Sequence, residues 1–177
     1  MIDFITSIDF KILDFIQDNL RCNFLDFLMP VISTLGNGGF IWIIITLFML
    51  LTKKHRKQGV VLAVGLLAGL IIGNLTLKPL IARDRPSWLN DAIVLLIENP
   101  TDFSFPSGHT LSSFIASILI TMNNKKLGCF VFPLAVLIAF SRMYLYVHFP
   151  SDILGGVLIA YIIALIVHKI FYRKSKA

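Results

Sequence analysis

The chain has 177 residues, 56% of them hydrophobic, a mean hydropathy of +0.82 and a formal net charge of +6. Soluble domains are less apolar, and this length suits one polytopic membrane domain over residues 1–177 with no room for a second. The basic residues form no nucleic-acid-binding stripe. They fall in three clusters, at 53–57, 125–126 and 173–176, each just after a hydrophobic run, which is the pattern of cytoplasmic membrane anchors.

Taken in chain order, residues 4–20 come first. Phe4, Ile5, Ile8, Ile12, Phe15, Ile16 and Leu20 recur at helical spacing, with Asp3, Lys11, Asp14 and Asp18 largely opposite. The pattern predicts an amphipathic helix lying on the membrane surface. Four acidic residues among the first eighteen make it a poor spanning segment. "MIDFITSIDF" also lacks the basic start of a cleavable signal peptide.

Phe27 to Thr52 carries no charge, long enough for one tilted span at about 1.5 Å per residue. "GNGG" at 36–39 breaks it, leaving a short helix, a turn and a span over 40–52. Further spans are predicted over 58–77, 109–122, 127–146 and 152–167. The fold expected is therefore all-α: a transmembrane bundle of five or six membrane helices plus the N-terminal amphipathic one. Cys22 and Cys129 show neither disulfide nor metal spacing.

With the three basic clusters inside, the span ends near 78, 109 and 147–152 meet on the outward face. They carry "KPLIARDRP" (78–86), "PSGH" (106–109) and "SRMYLYVHFPSD" (141–152). Ionisable residues at membrane depth are costly and commonly functional. Lys78, Arg85 and Arg142 gather positive charge, with Asp84 and Asp152 the only carboxylates in these segments. Such a surplus suits an anion, and the arginine fork suits phosphate oxygens.

"PSGH" precedes an apolar run and so opens a helix, whose N-terminus favours anions. Ser107 offers a hydroxyl, and Gly108 allows a phosphate close to the backbone. The plainer alternative is a serine cap followed by glycine. In "HFPSD", Pro150 places the helix start at about 150–151, so that Asp152 in the first turn reaches back to His148. A carboxylate on one ring nitrogen leaves the other as nucleophile or base. The alternative is a capping aspartate beside an interfacial histidine. Two histidines can divide the work: one attacks phosphorus and the other protonates the leaving oxygen. No magnesium-type carboxylate cluster or zinc-type spacing is present, and this chemistry needs no metal and no cofactor.

The three segments resemble the motifs of the type 2 phosphatidic acid phosphatase family: K-x6-R-P in "KPLIARDRP", then "PSGH", then S-R-x5-H-x3-D from Ser141 to Asp152. The resemblance implies a helical membrane phosphatase working without metal through a phosphohistidine. It implies His148 as nucleophile, Asp152 as its orienting carboxylate and His109 as general acid. Lys78, Arg85, Ser107, Gly108 and Arg142 would hold the phosphate. The substrate would be a membrane lipid phosphate, of the undecaprenyl diphosphate or phosphatidylglycerol phosphate type, and the location a bacterial cytoplasmic membrane with the site facing outward. A lipid transporter or scramblase that binds head groups without hydrolysis is the alternative. It would need the cations but not an oriented histidine. The loop 87–104, with "AIVLLI" at 92–97, reads as an apolar packing segment or a lipid-entry element.

Overall fold

A computed structural model describes residues 2–172, and within them the ordered elements are helical. The basic cluster at 173–176 lies outside the described residues. Helix α1 (Ile2–Leu20) leads into α2 (Asn23–Leu35), a 3-10 turn (Asn37–Gly39) and α3 (Phe40–Leu51). The α2–α3 pair is bent by 45° at the "GNGG" break. Gly38 and Gly39 hold φ values of 56° and 73° there, a left-handed backbone that suits glycine.

Helix α4 (Arg56–Gly69) continues as π-helical turns over Leu70–Leu77 and then as α5 (Lys78–Ile81). α5 ends where Ala82 turns left-handed at φ 47°. Short α6 (Pro86–Leu89) starts with proline in its first turn, where no amide partner is lost. The bundle is completed by α7 (Gly108–Asn123), α8 (Lys125–Tyr144) and α9 (Pro150–Tyr172). The start of α9 at Pro150 is where the sequence places it. α8 stops two residues short of the expected end, because Leu145 leaves the helix and Tyr146 turns left-handed at φ 58°.

α7 is the central helix, with Leu111, Ile115, Ala116, Leu119 and Ile120 buried. α4 meets it through glycines. A Cβ on Gly65, Gly69 or Gly73 would come within 2.6, 2.5 and 2.2 Å of Leu119, Ile115 and Leu111 respectively. Close approach at small residues is how helices pack where lipid removes the hydrophobic drive. The outer surface is as apolar as the interior: Leu67, Leu75, Phe130, Leu154, Leu158 and Ile166 are all largely exposed. A bundle with an oily outside is built for a bilayer.

Among the described residues three helical stretches are long and apolar enough to cross a membrane: 56–89, 125–144 and 150–172. The α2–α3 pair, bent by 45°, is long and apolar enough to make a fourth if its two halves form one span. α7, at 16 residues, is about 24 Å long and falls short of the usual span. Lys57 stacks over the Tyr172 ring at 4.4 Å, so the 53–57 cluster sits beside the far end of α9.

α1 is amphipathic, as its spacing predicts. Phe4, Ile5, Ile8, Ile12 and Phe15 point outward, while Asp9, Leu13 and Ile16 are buried against the bundle. Its polar side grips the end of α8 and the turn that follows. Tyr146 donates its hydroxyl to Asp14 at 2.8 Å, and Gln17 donates to the Tyr144 carbonyl at 2.8 Å. In the loop 87–104, Ile93 and Leu95 pack beside Leu13, Tyr146 and Phe149, while Val94 is exposed.

Candidate active site

Three chain breaks build the site at the end of the bundle opposite the 53–57 cluster. The left-handed Ala82 ends α5 and releases Arg83 to Arg85 into an extended turn. Ser107 caps α7, and the sharp turn at Tyr146 carries the chain to His148 before α9 begins. Lys78, Arg85, Gly108, His109, Arg142 and His148 all line one cavity of about 930 Å³. Ile43, Leu47, Leu50, Leu66, Leu67 and Leu70 continue its wall along α3, α4 and the first π-helical turn. A polar pocket thus opens into an apolar groove.

Arg85 is the most constrained cation, 2% exposed. Its Nε donates to the Asp102 carbonyl at 2.6 Å and one Nη to the Asp102 carboxylate at 2.7 Å. The other Nη donates to the Val147 carbonyl at 2.6 Å and reaches His148 Nε2 at 3.2 Å. A guanidinium has no acceptor, so Nε2 must accept, and the proton of a neutral His148 then sits on Nδ1. Lys78 pairs with the other Asp102 oxygen. Arg142, in the last turn of α8, donates to Ser33, and its buried Nε has no partner within the described residues.

His148 is 1% exposed. Its Nδ1 lies 3.6 Å from Asp152 and 3.4 Å from the Ser104 hydroxyl. The sequence predicts a direct His148–Asp152 hydrogen bond. The separation is longer than one, because Ser104 and the Phe149 amide donate to the nearer carboxylate oxygen. Arg83 takes the other oxygen at 2.6 Å.

His109 sits in the first turn of α7. Its Nε2 donates to the Asn37 side-chain carbonyl at 2.9 Å. Gly36 backs its ring so closely that a Cβ would come within 2.6 Å. Ser107 is fully buried as the cap of α7, accepting from the Thr110 hydroxyl at 3.0 Å and from its amide at 3.5 Å. Ser107 and Asp152 therefore lie behind the cavity wall. The other six expected site residues lie on it.

Asp102, Ser104, Arg83 and Asn37 join the site without having been expected there. Arg83 lies inside "KPLIARDRP", and the excess of charge in that string is the one sequence signal for it. Asp102 and Ser104 fall in the loop before "FPSGH", where no periodicity marks them.

The three cations Lys78, Arg85 and Arg142 share the cavity wall with two carboxylate residues, Asp102 and Glu98, so positive charge is in excess by one. Burial pushes the Asp102 carboxyl up, but the Lys78 hydrogen bond and the charges of Lys78 and Arg85 outweigh it and hold it at about 2. For His148 burial comes first, followed by the charges of Arg85, Arg142 and Lys78, and together they hold the imidazole well below its ordinary value. At neutral pH the site thus presents an ionised Asp102 and a neutral His148. Among the described residues no three His, Cys, Asp or Glu side chains gather as a metal-ligand set.

Comparison with known proteins supplies the family. Residues 58–176 match the PAP2 superfamily. An undecaprenyl-diphosphatase of Sulfolobus acidocaldarius is 32% identical over 133 residues, covering 73% of this chain and 62% of that protein. The chain thus spans somewhat under two thirds of that relative. Undecaprenyl-diphosphatase BcrC of Bacillus subtilis is 28% identical over 151 residues, 85% of this chain and 75% of that one. The crystal structure of a transmembrane PAP2-type phosphatidylglycerolphosphate phosphatase from Bacillus subtilis shares the fold. Its TM-score is 0.79 over 97% of this chain and 88% of that one, at 24% identity. The family match takes in all three motif segments, and the chain belongs to the PAP2 superfamily as an integral membrane protein.

Proposed function

We propose that this protein is a lipid phosphatase whose substrate keeps its tail in the groove between α3 and α4 and its phosphate among Lys78, Arg85 and Arg142. The supporting observation is that two histidines, one in the first turn of α7 and one in the turn before α9, line one cation-rich cavity, the second neutral and buried with its Nε2 lone pair held toward Arg85. Head-group binding alone gives no use for that oriented His148, which disfavours the transporter or scramblase reading.

In the proposed reaction His148 Nε2 attacks phosphorus, forming a P–N bond as the P–O bond to the lipid breaks. His109 enters this step as the imidazolium, gives the proton on Nε2 to the departing lipid oxygen and is left neutral. A water, deprotonated by His109, then displaces His148 and releases phosphate. Arg85, now bonded to Nε2, turns to the phosphoryl oxygens. The unpaired Nε of Arg142 is a ready donor to them, and Gly108 lets them approach the start of α7. Ser107, behind the wall, holds that helix start in place, and its hydroxyl reaches the anion only by turning from Thr110. Asp152 and Ser104 keep the proton of His148 on Nδ1. No step requires a metal or cofactor.

The named relatives point to an undecaprenyl diphosphate or a phosphatidylglycerol phosphate as the substrate type. The compact single domain fits a bacterial cytoplasmic membrane, and the basic clusters, taken as inside, put the site outward, with α7 completing the passage between its two faces. The test is phosphate release by detergent-purified protein from a panel of these lipids in excess chelator. Release is expected from at least one of them, with a preference of about tenfold deciding the class, roughly 1.4 kcal/mol in the transition state. Lipid movement across liposomes without phosphate release would instead support the transporter.

A further inference from the structure

α1 reaches from the membrane surface to the back of the site. Arg83 places one Nη 2.8 Å from an Asp9 oxygen. Its other Nη lies 2.6 Å from Asp152 and 2.7 Å from the Ser151 hydroxyl. Ser151 returns to Asp9 through its amide at 3.0 Å and through its hydroxyl. The guanidinium also lies flat over Phe149, 4.1 Å from the ring centre, and Phe10 of α1 meets that ring edge-on at 5.2 Å.

Asp9 and Asp152 have side chains 4% and 0% exposed, and Arg83 is the cation shared between them. Two buried carboxylates without a cation between them would repel each other and lose hydration. A planar fork gives each carboxylate its own nitrogen, whereas a lysine would have to reach both from one. With one oxygen of Asp152 held by Arg83, only the other remains to accept from Ser104 and Phe149 and to face His148.

We propose that Arg83 and Asp9 are positioning residues that act on His148 through Asp152, and that α1 is part of the catalytic framework as well as a membrane-surface helix. Neither residue lines the cavity. The inference rests on the reading of His148 as the nucleophile. Arg83 fixes the carboxylate, the carboxylate and Ser104 fix the imidazole, and Asp9 fixes Arg83. A shift of the imidazole by a fraction of an ångström changes the attack geometry without changing how the phosphate is held.

The test is steady-state kinetics on the full-length protein in detergent with the best lipid of the panel. Arg83→Gln is expected to lower kcat about 30-fold and to change KM by less than about 3-fold. Asp9→Asn is expected to lower kcat about 5-fold in the same manner. In an Asp152→Asn background, Arg83→Gln is expected to change the residual kcat by less than about 2-fold, because the group it acts through is gone. Arg83→Lys keeps the charge but not the fork, and is expected to lower kcat at least 5-fold. If Arg83→Gln fails to fold, Arg83→Lys in both backgrounds decides on the same criterion. Multiplicative losses with Asp152→Asn, or a loss carried by KM, would overturn the proposal. Activity in wild type but not in His148→Ala supports the phosphatase reading independently. An inactive wild type, or a fully active His148→Ala, would be a failure of that reading instead.

Discussion

The two histidines of the cavity sit in different kinds of surroundings. His148 is 1% exposed and held on both nitrogens, by Arg85 on one side and by Ser104 and Asp152 on the other. Behind it stand Arg83, Asp9 and the polar side of α1. His109 has a side-chain bond to Asn37, on a turn whose next two residues are glycines. His148 is fixed by buried polar partners, and His109 by Gly36 packed behind its ring and the bond to Asn37. The contrast fits the proposed division of labour. An attacking atom gains from being fixed in advance, whereas the group that protonates the leaving oxygen must make room for a lipid.

The largest expected effect is at His148. His148→Ala should reduce phosphate release at least a thousandfold, about 4 kcal/mol in the barrier, with head-group binding retained. Full activity in that variant would end the distinction between the two histidines. His109→Ala should cost about a hundredfold on a lipid substrate. In the phosphorylation step of p-nitrophenyl phosphate, whose leaving group needs little protonation, the cost should be about tenfold less. Equal losses on both substrates would remove His109 from the role of acid.

Two smaller effects sharpen the contrast. Asp102 is the anion now resting on Lys78 and Arg85, and it is half-exposed. Asp102→Asn should tighten inhibition by inorganic phosphate about fivefold, worth about 1 kcal/mol. Weaker inhibition would mean that Asp102 holds the cations in place rather than competing with the substrate. Asn37→Ala should lower kcat about threefold, as expected for loss of one hydrogen bond to His109.

The smallest effect is on stability in acid. His148 is neutral in the fold, while an unfolded histidine takes a proton below about pH 6.5. The unfolded state then binds the extra proton, so stability is full above that pH and declines as pH falls below it. The slope is at most about 1.4 kcal/mol per pH unit for one histidine. His148→Asn should show a slope shallower by about one proton in thermal unfolding between pH 6.5 and 5.

Most of the site's wall was legible in the sequence, because charges are conspicuous against an apolar background. Lys78, Arg85, His109, Arg142 and His148 stand out for that reason, and Pro150 marks the start of α9 through its fixed φ and missing amide. The supporting layer was not legible. Ser104 and Asp102 lie in a loop where neither charge nor periodicity distinguishes them. Asp9 meets Arg83 across 74 residues, and in the sequence it is one acid among several on a surface helix. The direct His148–Asp152 bond was expected from Pro150 setting the start of α9, and the phosphate-facing Ser107 from the "PSGH" turn and the family resemblance. Neither signal registers that Ser104 donates between the first pair, or that a capping serine is turned inward by Thr110. The bend between α2 and α3 followed from "GNGG". The π-helical turns of Leu70–Leu77 were not expected from the sequence, where Gly73, Asn74 and Thr76 interrupt an otherwise apolar run.

The phosphoenzyme itself is the most direct test of the central claim. Protein quenched with denaturant during turnover of substrate labelled in the scissile phosphate should carry label that is stable in base and lost in acid. That label should map to the peptide containing His148 and be absent in His148→Ala. Undiminished labelling in His148→Ala, or turnover by active wild type with no labelled protein at any quench time, would contradict the account.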